Sequence, residues 1–410
     1  MSRSAPMRKR SLLALPPGLA RLMLLTLPFV FFFACTSATS FSGSTPALPV
    51  GQVGSLTALG QAPGNCYVPG QGTSSTSCST TQATTGISGI TALGTDSYGS
   101  SGSQTTALFF GDAGGNISFV TVPTTSSIPT SGSVTSCVTA SSSILSLAVI
   151  PGTSASTPGT LFYSTSGSAG AVYSLSVTSS TSCGGSSISV PSAPSYLTYS
   201  SKAGEVIGVT QSGSFFTCNS SSTPSCTSPT QLPNHPGSTI AGIAADPQYP
   251  VVYVTTSANG SYAIDIYSVN GANLLFLGSY SGGELSAPTG ITVFHGPNPA
   301  QNYCTGTTAA SGCNFLYVAN AGTDAVTQYV LTYSLSSAGV PTGVSLNQFN
   351  AAYMGCDLFT PSAMAAISTP VTGAPAVFLG EGDTSFGPCM GVPSGTSFGK
   401  NVTAYTVMGE

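Results

Sequence analysis

Tryptophan is absent from the sequence, arginine stops at Arg21, and charged residues make up only 4% of the chain. Five of the seven basic residues, Arg3, Arg8, Lys9, Arg10 and Arg21, lie at the start, and only Lys202 and Lys400 follow. A chain without a basic face cannot neutralise backbone phosphates, which excludes nucleic acid as a partner. It also lacks the guanidinium forks that clamp carboxylates. Zinc-site spacing is missing: there is no Cys-x-x-Cys, and the two histidines, His235 and His295, stand far from any such pattern. No Gly-x-Ser-x-Gly sits between a strand and a helix with a histidine partner, and no phosphate loop or dinucleotide fingerprint occurs.

The basic start leads into an apolar run at residues 22–34, LMLLTLPFVFFFA. A membrane-spanning helix needs roughly 20 apolar residues, and this run is shorter and contains Pro28. It reads as a targeting segment, set apart from the fold. The run ends Phe32-Phe33-Ala34-Cys35, which resembles the lipobox of bacterial lipoproteins, with Phe32 where leucine is usual. The resemblance implies lipidation of Cys35 and a membrane-anchored chain in the bacterial cell envelope, periplasmic or at the surface. An ordinary secretory signal cut near Ala34 or Ala38 is the alternative. Residues 1–34 are then the signal peptide, 35–48 a flexible tether, and 49–410 the folded domain.

With Cys35 set aside, ten cysteines remain: Cys66, Cys78, Cys137, Cys183, Cys218, Cys226, Cys304, Cys313, Cys356 and Cys389. An even number in an exported chain suggests disulfides. Closeness in sequence suggests 66–78, 218–226 and 304–313, which leaves 137–183 and 356–389. From Cys35 onward two lysines face eleven acids. Once those acids are protonated, little positive charge is left to repel itself, and acid unfolding loses a main driver. An envelope facing an acidic medium is one reading; a surface merely biased to Ser and Thr is the other.

What the chain does have is 49 Gly, 29 Pro, 17 Tyr and 19 Phe. Breakers at that density exclude long helices, and the aromatic content excludes a disordered Ser/Thr tract. Short strands joined by turns remain. One pattern recurs: a short apolar run, a Gly/Ser/Asn/Asp turn, then an alternating run. It appears as ALFFGDAGGNISFVTV from Ala107, TLFYSTSGSAGAVYSLSV from Thr160, GEVIGVTQSGSFFTC from Gly204 and VVYVTTSANGSYAIDIYSV from Val251. It returns as NFLYVANAGTDAVTQYVL from Asn314 and AVFLGEGDTSFG from Ala376, the last with NVTAYTV as a distant return strand. Each is a β-hairpin pattern. Each is preceded by a small-residue or β-branched run, such as ISGITALG, ILSLAVI, TIAGIAAD or SAMAAIS. Those runs suit an innermost strand at a crowded axis.

The period is about 54 residues, and a four-stranded unit repeating at this spacing predicts an all-β β-propeller of antiparallel blades. Six blades are visible. The last lacks an outer strand, which PVGQVGSLTALG at 49–60 can supply, closing the ring from the N-terminal side. A short seventh blade is also compatible, because SLTALG is similar to GITALG at 89–94 and CYVPGQGTSSTSC can form a clasped hairpin. Ala244-Ala245-Asp246-Pro247 with Val252-Tyr253-Val254-Thr255, and Leu316-Tyr317-Val318-Ala319-Asn320 with Gly322 and Asp324, resemble the YVTN-type repeats of lactonase-like β-propellers. The resemblance spans roughly residues 87–407.

That family implies a sugar-lactone hydrolase. One type uses His and Arg in a polar cleft, but here no Arg follows Arg21 and the two His residues occupy different repeat positions. The other type holds calcium with Glu, Asp and Asn around the axis. The ligand-like pairs are Asp112 with Asn116, and Glu381 with Asp383, whose oxygens could bind calcium. The competing reading is turn chemistry, in which Asp and Asn side chains bond to nearby backbone; it is preferred for Asp112, Asn116 and Asp324, and Asp246 is read as a turn initiator. Tyr98, Tyr249 and Tyr303 could stack on sugars, but blade packing is preferred. The expectation is a non-enzymatic envelope module that binds a protein or carbohydrate partner and needs no cofactor. A calcium-dependent hydrolase and a structural surface coat are the alternatives.

Overall fold

The hairpin pattern becomes six antiparallel sheets. The structure is a computed structural model that describes residues 89–98, 105–122, 135–152, 159–167, 172–179, 182–183, 188–190, 195–219, 221, 224–235, 237–282, 284–295, 314–323, 325–353, 361–367, 377–381 and 402–407, with short strands at 56–58, 67–68 and 72–73. All of them belong to one unit, Ser44–Glu410. The signal segment, Cys35, the tether, Cys66, Cys78, Cys304, Cys313, Cys356, Cys389, Tyr303, Asp324 and Asp383 lie outside the described residues, as do the side chains of Tyr98 and Glu381.

Blade 1 is Ile90–Tyr98, Thr105–Asp112, Asn116–Val122 and Thr135–Thr139, from the inside outward. Blade 2 is Ile144–Ile150, Thr160–Thr165 and Val172–Ser179, with Ser182–Cys183 and Ile188–Val190 both on its outer edge. Blade 3 is Ser195–Ser200, Glu205–Thr210, Ser214–Asn219 and Thr230–Gln231. Blade 4 is Thr239–Ala245, Val251–Ala258, Ser261–Asn270 and Asn273–Tyr280. Blade 5 is Pro288–His295, Asn314–Asn320, Ala325–Leu335 and Pro341–Tyr353. Blade 6 is Pro361–Ala366, Val377–Glu381 and Val402–Val407, completed by Leu56–Ala58 from the other end of the chain. That closing strand pairs Leu56 with Val407 and Ala58 with Tyr405. Each inner strand packs on the next, and blade 6 returns to blade 1, so the ring closes at six. No seventh blade forms among the described residues; Tyr67–Val68 and Gly72–Thr73 make a two-stranded ladder of their own.

The cores lie between blades. One cluster joins Ala92, Phe109 and Phe119 of blade 1 to Leu147, Leu161 and Tyr163 of blade 2. Another joins Ile90, Leu108 and Phe110 of blade 1 to Ala363, Ala365 and Phe378 of blade 6. Successive residues of a strand point to opposite faces, so Phe109 serves one neighbour while Leu108 and Phe110 serve the other. In blade 4, Val252 and Val254 face blade 3, and Val251 and Tyr253 face blade 5. Burial on both faces explains why the second strands read as unbroken apolar runs such as VVYV. Each such side chain contributes about 1.5–3 kcal/mol on leaving water.

The turns follow their residues. Asn259 (φ 52) and Gly260 (φ 79) form the two-residue link of blade 4, with the positive φ pair that a primed hairpin turn requires.

Candidate functional site

The inner strands enclose a central channel of about 450 Å³, within the range of small-molecule pockets. Five of the six carry an irregularity after their first or second residue, where one residue bulges: Thr91, Leu145, Ala241, Thr289 and Ser362. A bulge re-aims a side chain at the edge of a ladder. Here three of them carry hydroxyls, and each donates to the first carbonyl of the next inner strand. Thr91 Oγ1 donates to Ile144 O, Thr289 Oγ1 to Pro361 O, and Ser362 Oγ to Ile90 O. Elsewhere on the ring the device changes. Ser146 Oγ accepts from Leu197 N at 2.9 Å, Thr198 Oγ1 accepts from Ala245 N at 3.0 Å, and Thr95 Oγ1 donates to Ala366 O at 2.8 Å. Adjacent inner strands have no ladder between them, so hydroxyls satisfy backbone groups that would otherwise be buried alone. Close approach matters as well: a Cβ on Gly290 would lie 2.9 Å from the Met364 backbone nitrogen.

The channel wall is therefore neutral. No Asp, Glu, Lys, Arg or His is among the described residues that line it, and six of the lining hydroxyls are engaged with neighbouring backbone. Tyr199, Ser201, Pro151 and Pro247 stand where the inner strands end.

The carboxylates lie behind this wall. Asp96 and Asp246 each stand six residues after the isoleucine that precedes the bulge, in blades 1 and 4, which face each other across the ring. Asp246 is fully buried. Its Oδ1 accepts from Gln248 N at 2.8 Å, Tyr249 N at 2.9 Å and Asn314 Nδ2 at 3.0 Å. Its Oδ2 accepts from the hydroxyls of Tyr253, at 3.3 Å, and Tyr333. The two backbone bonds form the turn expected from the sequence; the bonds from Asn314 and Tyr333 tie blade 4 to blade 5, and the one from Tyr253 stays within blade 4. Burial raises the pKa of Asp246, and the hydrogen bonds oppose that rise. Burial, then the Asp246 charge, lifts Tyr253 and Tyr333 well above the usual phenol range. Tyr249 packs against Tyr333 at 4.4 Å between ring centroids, with the ring planes tilted by 42°.

Asp112 turns its carboxylate back onto its own turn. Its Oδ1 accepts from Asn116 N at 2.8 Å and its Oδ2 from Asn116 Nδ2 at 3.1 Å. Gly115, at φ 87, closes the turn onto Asp112 O at 3.1 Å. Asn320, which ends the corresponding strand of blade 5, accepts from Ser286 N at 3.0 Å and donates to Thr327 Oγ1 at 2.8 Å. That anchors the linker from blade 4. No group of three or more His, Cys, Asp or Glu gathers among the described residues. His235 sits in the blade 3–4 linker, with Nε2 bonded to Ser238 O at 2.7 Å and Nδ1 3.9 Å from Asp265 Oδ2. His295 ends the inner strand of blade 5, opposite Asn314. Sequence reading missed Asp96 and the Asn314–Tyr333 pair. Aligning GITALGTD with TIAGIAAD shows the first, because the two aspartates fall in one register. Nothing in the sequence signals the second, which reaches from two strands of blade 5 to Asp246 in blade 4.

Cys137 and Cys183 form a disulfide between the outer strands of blades 1 and 2, with Cα atoms 4.9 Å apart. Cys218 and Cys226 form one within blade 3. Such bridges persist in oxidising compartments, so the chain is extracytoplasmic. No helix among the described residues is long and apolar enough to cross a membrane.

No protein-family model matches the sequence, and no curated protein is detectably similar to it. Solved structures align distantly. The WD40 repeats of RRP9 give a TM-score of 0.46 at 9% identity, covering 86% of this chain and 100% of that one. The β-propeller domain of Cps50 (Swd1) from Myceliophteria thermophila gives 0.43 at 7% identity, covering 78% and 83%. A 6-phosphogluconolactonase-like protein from Bacteroides uniformis gives 0.41 at 8% identity, covering 70% and 76%. These likenesses transfer no activity, and the propeller assignment rests on the six blades themselves.

Proposed function

We propose that this chain is a lipid-anchored envelope propeller that works by binding, holding a protein or carbohydrate partner through the ring and its loops. One observation carries the reading: no carboxylate, imidazole, thiol or cationic side chain converges on the channel among the described residues. Hydrolysis needs a general base, a nucleophile or a metal near the reacting atom. The described carboxylates support seams and turns instead. Hydroxyl-rich surfaces of low charge suit neutral polymers and backbone contacts. Residues 1–34 would direct export, and Cys35 would carry the lipid.

The test is equilibrium binding of the purified mature chain to isolated cell-wall polysaccharide and to solubilised envelope proteins, with membrane fractionation of wild type and Cys35→Ser. Saturable binding that leaves the ligand's mass unchanged, with the Cys35→Ser chain released from membranes, is the expected result. Turnover of the ligand, or no retention from either source, would overturn the binding role. Membrane retention of Cys35→Ser would overturn the anchor.

A further inference from the structure

We propose that the ring is sealed by acid: the neutral carboxyl of Asp96 closes the seam between blades 1 and 2, and ionisation of that carboxyl loosens it. The geometry is specific. Asp96 is 1% exposed, and the hydrogen bond that reaches it across the seam comes from Gly152 N at 3.3 Å. Gly159 packs so closely that a Cβ there would lie 2.9 Å from Asp96 Oδ2. On its own strand, the hydroxyl of Thr95 is committed to Ala366 O in blade 6. Across the ladder its partner is Ala107. No titratable or charged side chain among the described residues faces it from these elements. The described side chains that can carry positive charge are Lys202, His235 and His295, all in blades 3 to 5 or their linkers.

A buried carboxylate is ordinarily held by an ion pair or several donors. Among the described residues Asp96 has neither, and a sequence without arginine after Arg21 has little means of supplying an ion pair. The opposite seam also has no cation but is built differently: phenols, an amide and backbone N–H bonds surround Asp246. Asp265 adds a third buried carboxyl, 2.6 Å from Ser279 Oγ, with His235 at 3.9 Å.

Burial lifts the Asp96 carboxyl to about 6, opposed weakly by Gly152 N–H, and it lifts Asp246 and Asp265 in the same direction. The ordinary value is 3.8. A folded-state value above the unfolded one means the folded chain binds the extra proton. The contribution is complete below about pH 4 and is lost as pH rises through about 6.

The experiment is urea unfolding of the mature chain from pH 4.5 to 7.5, for wild type and Asp96→Asn, whose amide imitates the neutral carboxyl. The wild-type unfolding constant should rise on the order of tenfold across that interval. Asp96→Asn should flatten the rise and be more stable than wild type at pH 7.5. Hydrogen exchange of the wild-type Gly152 amide needs no variant and should be slower at pH 4.5 than at pH 7.5 after correction for intrinsic rates. A wild type equally or less stable in acid, or an Asp96→Asn chain that keeps the full pH dependence, would overturn the proposal. If the variant fails to fold, seam exchange that is unchanged by pH would do the same.

Discussion

Asp246 shows how a charge-poor sequence handles a buried acid. Five neutral donors converge on one carboxylate, and two of them are phenols whose own ionisation is suppressed. Tyr333 is the bridging member, because it also receives Asn314 Nδ2 at 3.0 Å and lies 3.3 Å from the Tyr253 hydroxyl. Tyr333→Phe keeps the ring and its packing on Tyr249 but leaves Oδ2 one donor short. Leaving a buried acceptor short of a donor costs about 1–3 kcal/mol, so the variant should lose about that much unfolding free energy in denaturant titration. Unchanged stability would mean that the network is incidental. At this scale the sequence was only half legible. The turn role of Asp246 could be read from its position before Pro247, but its interblade role could not, because Asn314 and Tyr333 lie 68 and 87 residues away.

At the scale of elements, the hairpins were the most legible part, since strand–turn–strand patterns are local. Asp112 with Asn116 makes the side-chain turn bonds that their spacing in the sequence suggests: both carboxylate oxygens accept from Asn116. The inner strands were legible as small-residue runs but not as bulged strands, since Thr91, Thr289 and Ser362 differ from ordinary strand residues only in where the next blade's carbonyl lies. The closing strand was legible by subtraction, from a last blade that lacked an edge. Its loss is testable. Removing residues 49–60 exposes the edge of Val402–Val407, and exposed edges recruit other chains. The truncated protein should melt at lower temperature and associate in a concentration-dependent way in light scattering. A monomer of wild-type stability would mean that the Leu56–Val407 register contributes little to closure.

The unit Ser44–Glu410 is a closed ring in which blades share their cores with neighbours, so no blade is complete alone. Closure from the N-terminal side, the Cys137–Cys183 disulfide and hydroxyl-bridged seams all restrain the same motion, the parting of one blade from the next. The restraint leaves a channel whose described wall carries no charged side chain, and the proposed binding role rests on that feature. Period and strand pattern revealed the fold. They could not reveal the channel's neutrality, because that depends on which side chains turn toward the axis and which turn into the seams. The most direct test of a binding role over a catalytic one is calcium titration of the mature chain by calorimetry, paired with lactone hydrolysis measured with and without chelator. The binding account predicts no saturable calcium heat and no hydrolysis above the uncatalysed rate. Calcium-dependent hydrolysis that chelation abolishes would contradict it.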